Sequence, residues 1–178
     1  QFETNVFGLV RMCQLALPGM RAQGWGRIVN VGSMGGRLTF PGGGAYHGTK
    51  YAVEALTDAL RFEVQGFGVG VSLIEPGLIR TRFGDTAVAS VGTDDGPYAA
   101  FNEAVATATR DAYRGPMARL GSGPEAVAKA IERALAADRP KARYPVTASA
   151  RLLLGVRRLV PDRVWDKLMA GQFPVPGR

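Results

Sequence analysis

The sequence has a single cysteine, a single histidine and two tryptophans in 178 residues. One cysteine, Cys13, rules out a disulfide framework and suits a reducing cytosol, and its place on the apolar side of a helix-like pattern makes it a core residue. No metal site is read from the sequence. Runs of about 18 to 20 uncharged apolar residues are missing, which excludes a membrane-spanning helix, and no charged-then-apolar leader opens the chain. Repeats, low-complexity blocks and internal linkers are missing too, so residues 1–178 are read as one domain. What is present, 46% hydrophobic and 21% charged residues, describes a soluble globular unit with enough apolar surface for a sizeable core.

Acidic residues are scarce in one place only. Residues 1–138 balance 13 Lys and Arg against 13 Asp and Glu, whereas 139–178 hold nine against two, so the end of the chain carries the whole net charge of +7. There, "RLLLGVRRLVPDRVWDKLM" interleaves Arg151, Arg157, Arg158 and Arg163 with Leu152, Leu153, Leu159, Val160 and Trp165. The basic tail, 146–178, is read as a surface helix pair packing its apolar side on the domain. Peripheral contact with an anionic membrane stays open, and no nucleic-acid partner is expected.

The first 24 residues read as a helix, with Val6, Val10, Cys13 and Leu17 at helical spacing and Gly24 as its stop. "GRIVNVGS" follows as a strand buried on both faces, then a glycine-rich loop. A second helix, Tyr46 to about Phe67, has Ala52, Leu56, Leu60 and Val64 on one side, with Gly66 and Gly68 ending it. "VGVSLIEPG" is a second buried strand, halted at Pro76. Strand, long helix and strand make a parallel βαβ unit, and such sheets place ligands at the carboxyl ends of their strands. Thr81 to about Gly121 is a long excursion, broken by the turn-rich "GTDDG" and holding a helix from Pro97 to Tyr113. "GSGPEAVAKAIERALAADRP" is a further helix and "ARYPV" a short edge strand.

The first βα connection, "GSMGGRLTFPGGGAYHGTK", places Ser33, Tyr46 and Lys50 together at the expected crevice. Tyrosine has a pKa near 10 and works poorly as an acid–base group at neutral pH unless its phenolate is stabilised. A lysine four residues later on the same helix face can do that through its ammonium. Ser33, at the adjoining strand end, can hydrogen-bond a substrate carbonyl or alcohol. An alcohol held there could pass its proton to Tyr46 while a hydride leaves its carbon. His47 is read as pointing elsewhere.

At these residues the chain resembles the short-chain dehydrogenase/reductase family. Ser33, the Y-x-x-x-K of Tyr46 and Lys50, and "PGLIRT" from Pro76 to Thr81 stand in the family's order, and Asn5 in "TNVFG" is placed like the asparagine of its catalytic tetrad. The resemblance implies an α/β fold, part of a doubly wound parallel-sheet Rossmann arrangement with three α/β/α layers. It implies Tyr46 as general acid/base, Lys50 lowering the tyrosine pKa and binding the nicotinamide ribose, Ser33 orienting the reacting oxygen, and Asn5 holding a water that links Lys50 to solvent. Pro76, Gly77, Ile79 and Thr81 would line the nicotinamide and phosphate side of an NAD or NADP cofactor. A homodimer or homotetramer built on the two long helices, with a cytoplasmic location, is implied as well.

The family's T-G-x-x-x-G-x-G turn, which cradles the cofactor pyrophosphate, has no counterpart near Gln1. The chain opens inside a helix with no strand before it, so it is expected to be the later part of such a fold, weak in cofactor binding alone. Phe83, Val88, Val91, Tyr98, Phe101, Val105, Tyr113 and Met117 form an apolar lid if they face the crevice, and core packing of the same residues is equally compatible. With the basic tail, the lid reading resembles the steroid- and retinol-dehydrogenase branch and a lipophilic alcohol or ketone substrate. A non-catalytic binding or dimerisation module is the other reading.

Overall fold

In the computed structural model, which describes residues 1–93 and 95–177, three parallel strands lie side by side. They are β1 (Gly26–Val31), β2 (Val69–Glu75) and β3 (Arg143–Pro145), in the order β1-β2-β3. Ile28 stands opposite Val71 in the first pair, and Ile74 opposite Tyr144 in the second. A π-helical turn, Glu3–Phe7, runs unbroken into α1 (Gly8–Ala22) ahead of β1. The βα connection contains a tight turn, Met34–Gly36, before α2 (Gly44–Val64) returns the chain to β2. Alternation along the strands divides the core. Ile28, Val69 and Val71 meet Cys13 of α1 and Val64 of α2 on one face. On the other, Ile74 meets Ala130 and Ala134 of α5 (Pro124–Ala136). Helices therefore cover both faces of a parallel sheet, the α/β/α layering of a doubly wound fold.

The remaining elements gather at the carboxyl ends of the strands. After β2 come α3 (Phe83–Ala89), α4 (Ala99–Arg114) and a 3₁₀ turn at Pro116–Leu120. After β3 come α6 (Ala148–Leu159) and α7 (Asp162–Gln172). Leu154 and Trp165 of these two helices pack on Leu38 of the glycine-rich loop, so the basic tail belongs to the fold and packs one apolar side on it.

The sequence expectations meet an element within a few residues, the helix over the first 24 residues opening as a π turn and ending at Ala22. The element the sequence does not announce is α3. Its seven residues, "FGDTAVA", have too little periodicity to read. It is held by a tertiary contact, Gly84 lying so close to the Tyr113 ring that a Cβ there would stand 2.8 Å from it. Asp94 of the "GTDDG" break and Arg178 at the end of the tail lie outside the described residues. Proline inside β3 is tolerated because, among the described residues, β3 pairs with β2 alone. No helix among the described residues is long and apolar enough to cross a membrane.

The hinge between α2 and β2 requires glycine. Gly68 has φ +72°, and a Cβ on it would meet the Gly24 carbonyl oxygen at 2.1 Å. Gly68→Ala is expected to destabilise the chain by at least about 1–2 kcal/mol, seen as a lower urea midpoint with an unchanged denaturant slope.

Candidate active site

The site forms where the ends of β1 and β2 are tied together. Gly32 N–H donates to Ile74 O and Met34 N–H to Pro76 O, both at 2.8 Å, so the chain leaving β1 continues along β2 past its last strand residue. Ser33, in an extended conformation, caps the following turn, its Oγ accepting from Gly35 N–H at 3.0 Å. The loop then lies directly on α2. A Cβ at Gly35 would stand 2.8 Å from His47 Nδ1, and one at Gly36 would stand 2.7 Å from the Lys50 carbonyl oxygen.

His47 fastens that contact. Nδ1 lies 2.9 Å from Gly35 O, and Nε2 accepts from Phe40 N–H at 3.2 Å. The pattern assigns the neutral tautomer with its proton on Nδ1, and burial pushes the imidazole pKa down against the pull of hydrogen bonds to the backbone of Gly35 and Leu38. The histidine is a loop clamp.

Tyr46 and Lys50 occupy the first turns of α2, on one face. The Lys50 ammonium donates to Val31 O at the end of β1, at 3.2 Å, and lies 5.9 Å from the centre of the Tyr46 ring. Asn5, in the π turn, donates from Nδ2 to Thr49 Oγ1 at 3.2 Å, and Thr49 Oγ1 donates to Tyr46 O at 2.7 Å. The four residues of the expected tetrad therefore converge at the carboxyl end of β1. Burial pushes the Tyr46 phenol up, with a hydrogen bond from Ser33 opposing it, and pushes the Lys50 ammonium down. Both shifts express a dry site that resists charge. The Tyr46 shift is set by burial and Ser33, and the Lys50 ammonium, turned to the Val31 carbonyl, is not among its causes.

The Pro76–Thr81 segment runs beside this group and is already engaged in packing. A Cβ on Gly77 would lie 2.2 Å from Thr147 Oγ1, so glycine here permits the start of α6 to approach. Ile79 bridges to Ser122, and Thr81 Oγ1 accepts from Phe83 N–H at 3.2 Å, opening α3. That arrangement stacks Phe83 on Tyr46, ring centres 5.3 Å apart, with Tyr113 6.1 Å beyond it. Tyr113 is pushed up to about 12, by burial first and then by the nearby Tyr46, so it remains a neutral phenol. Of the expected lid residues, Phe83 and Tyr113 reach the site. Val105 instead packs on Gly42 in the loop, and Tyr98 is exposed.

Sequence reasoning missed a buried carboxylate pair beneath Lys50. Glu54 of α2 and Glu75, the last residue of β2, are 7% and 0% exposed. Arg143 approaches Glu54 Oε2 at 3.0 Å and Glu75 Oε1 at 3.7 Å, and Arg37 donates to Glu75 Oε1 at 3.4 Å. Among the described residues, Glu54 Oε1 and Glu75 Oε2 have no hydrogen-bond partner, which suits one proton held between the two carboxyl groups. A glutamate one helical turn after Lys50, on a face of Val53 and Thr57, was the available signal.

A family model described as short chain dehydrogenase matches residues 1–91. The chain belongs to the short-chain dehydrogenases. This short-chain dehydrogenase is 41% identical over 171 residues to the uncharacterized oxidoreductase YbbO of Escherichia coli K12, covering 96% of the chain and 58% of that protein. It is 35% identical over 172 residues to an NADPH-dependent 3-dehydrocapnine reductase of Ornithobacterium rhinotracheale, covering 94% and 59%. A short-chain dehydrogenase structure from Streptomyces avermitilis superposes with a TM-score of 0.70 at 31% identity, covering 95% of the chain and 58% of that one. The chain thus spans somewhat over half the length of the relatives it matches.

The carboxylate pair sets a pH dependence. Burial first, then the Glu75 charge, raises Glu54 from 4.5 to about 7, and Arg143 opposes without prevailing. A carboxyl raised by folding contributes stability that is full below its unfolded value and lost as pH rises through the folded one. Stability of the wild type should therefore fall between about pH 4.5 and 7. Glu54→Gln, which keeps a hydrogen-bond donor and removes the titration, should flatten that fall, as followed by urea midpoints across the range.

Proposed function

We propose that this short-chain dehydrogenase is an NAD- or NADP-dependent oxidoreductase that interconverts a lipophilic primary or secondary alcohol and its aldehyde or ketone. The observation that carries the reading is the convergence of Asn5, Ser33, Tyr46 and Lys50 at the carboxyl end of β1. Ser33 Oγ, beside the Tyr46 phenol, orients the substrate oxygen, and Tyr46 exchanges a proton with that oxygen. Lys50 keeps ammonium protons beyond the one donated to Val31 O, which suits the hydroxyls of a nicotinamide ribose, and its charge favours the phenolate once the substrate proton is in motion. Asn5 holds the α2 start through Thr49 and lies where a water could join Lys50 to solvent.

The residues present fit the nicotinamide end of the cofactor. Lys50 has ammonium protons beyond the one given to Val31 O, which suits a ribose hydroxyl at that end, and the adjoining segment with Pro76, Gly77, Ile79 and Thr81 would line the nicotinamide and phosphate side. When bound, the cofactor supplies the hydride acceptor or donor. The chemistry left to this chain is proton transfer, orientation and exclusion of water. Phe83 and Tyr113 over Tyr46 supply an apolar wall, which supports a lipophilic substrate of the steroid or retinoid kind. The relative named as an NADPH-dependent reductase supports the cofactor class.

In this reading, residues 1–178 are the catalytic part of one Rossmann-type domain, with the tail 146–178 included. A groove of about 570 Å³, lined by Asn5, Leu9, Cys13, Ile28 and Lys50 among others, runs along the edge of β1 that pairs with no strand among the described residues, and in this reading a neighbouring strand would lie beside it. The assembly is a cytoplasmic homodimer or homotetramer with no nucleic-acid partner. The exposed Phe7, Met12 and Leu15 of the first helix and Phe62 of α2 suit helix pairing, and they also favour the second reading, a non-catalytic dimerisation module.

Tyr46→Phe in the intact protein separates the two. The oxidoreductase reading predicts that kcat/KM for a hydrophobic ketone falls by about 10²–10⁴-fold while NADPH binding, followed by cofactor fluorescence, persists. Unchanged turnover would reject Tyr46 as the acid–base group, and absence of both binding and turnover in the wild type would leave the dimerisation module.

A further inference from the structure

The outer side of the tail helices carries exposed apolar and basic residues together. α6 has two apolar sides. Ala150 and Leu154 face the glycine-rich loop and are buried, whereas Leu152, Val156 and Leu159 recur at i, i+4 and i+7 on the opposite side and are exposed, Leu159 at 83%. α7 repeats the arrangement, with Trp165 buried at 8% and Val164 and Leu168 exposed at i, i+4. At four places a basic residue immediately precedes an exposed apolar one: Arg151 before Leu152, Arg158 before Leu159, Arg163 before Val164 and Lys167 before Leu168. Rows of cationic side chains thus run beside rows of aliphatic ones on both helices.

The corner between the helices is fixed. Arg157, turned inward, donates to Val160 O at 3.0 Å, pairs with Asp162 and lies over the Trp165 ring, so one of the tail's two acidic residues is neutralised within the corner. Trp165 Nε1 in turn donates to Thr39 O, and Phe40 stacks on Trp165 with ring centres 6.0 Å apart. The two outward faces are therefore preformed on the folded chain, and nothing has to be ordered for them to be presented together.

We propose that this outward face of α6 and α7 docks on an anionic lipid surface, its leucine and valine rows entering the headgroup–acyl boundary and its arginines and lysine meeting lipid phosphates and carboxylates. Charge decides among the candidate occupants. A second copy seated on the same face would bring two basic rows together. Protein hot spots favour exposed aromatic anchors, and both aromatic residues of the tail, Trp165 and Phe173, are turned inward. Nucleic acid would leave the aliphatic rows wet. A bilayer with negative headgroups satisfies both rows at once. The docking does not depend on the chemistry at Tyr46.

The test is co-flotation of the intact protein with vesicles of equal parts phosphatidylcholine and phosphatidylserine, and with phosphatidylcholine alone. Flotation with the anionic vesicles, weakened by added salt and weaker on neutral vesicles, is the expected result. Arg158→Gln with Arg163→Gln should reduce the partition constant by about 25-fold, at roughly fivefold per basic residue. Leu152→Glu with Leu159→Glu should abolish it, and both positions are exposed enough for the fold, checked by circular dichroism, to survive. As an independent readout, Leu159→Cys in a Cys13→Ala background, carrying a polarity-sensitive fluorophore, should shift to the blue on adding anionic vesicles. No flotation, flotation indifferent to these variants, or self-association abolished by Leu159→Glu would each overturn the proposal, the last by making this face a contact between copies of the chain.

Discussion

The site depends on one side chain clamping a loop. Between β1 and α2 the chain passes through a stretch so rich in glycine that local propensity fixes little of its path. His47 fixes it, receiving the Phe40 amide on one ring nitrogen and offering the other to the Gly35 carbonyl. Because His47 sits next to Tyr46 and Gly35 two residues after Ser33, the same clamp that closes the loop sets the serine against the tyrosine. Phe40, held by that bond, is also the surface on which Trp165 stacks, so the tail is registered to the site through the loop. A neutral imidazole is required, since a proton on Nε2 would face the Phe40 amide, and burial keeps it neutral.

Around the clamp the electrostatics follow from dryness. Burial shifts Tyr46 and Lys50 both toward their uncharged forms. One turn further along α2, the Glu54 and Glu75 carboxyl groups share Arg143 and Arg37 without satisfying every oxygen. Burying such a cluster costs more than an apolar packing would, but it joins α2, β2, β3 and the glycine-rich loop at one point directly under Lys50. The helix that carries Tyr46 and Lys50 is thereby held near its start by the histidine and about two turns later by the carboxylates.

Much of this was legible in the sequence because it rests on local spacing. The βαβ unit, the helix at Pro124–Ala136 and the meeting of Ser33, Tyr46 and Lys50 all follow from periodicity and from the place where parallel strands end. Asn5 was recognisable only by resemblance, and its bond to Thr49 joins segments 44 residues apart, which no local pattern encodes. Glu75 was hidden because a strand covered on both faces reads as uniformly apolar, and a lone glutamate at its end looks like a boundary. α3 was invisible for the opposite reason: it has no pattern of its own and exists because Phe83 and Gly84 pack against Tyr46 and Tyr113. The tail's charge was plain, but the split of each helix into a packed apolar side and an exposed one needed the fold.

The central claim, that these residues serve hydride transfer to a carbonyl carbon, is tested most directly by isotope. The intact protein is incubated with NADPH deuterated at the transferable position and a panel of hydrophobic ketones and aldehydes, and the alcohols formed are examined by mass spectrometry. The account predicts an alcohol carrying a single deuterium on its carbinol carbon. Saturable NADPH binding with no deuterium in any product would contradict it and leave the converged tetrad without the reaction assigned to it.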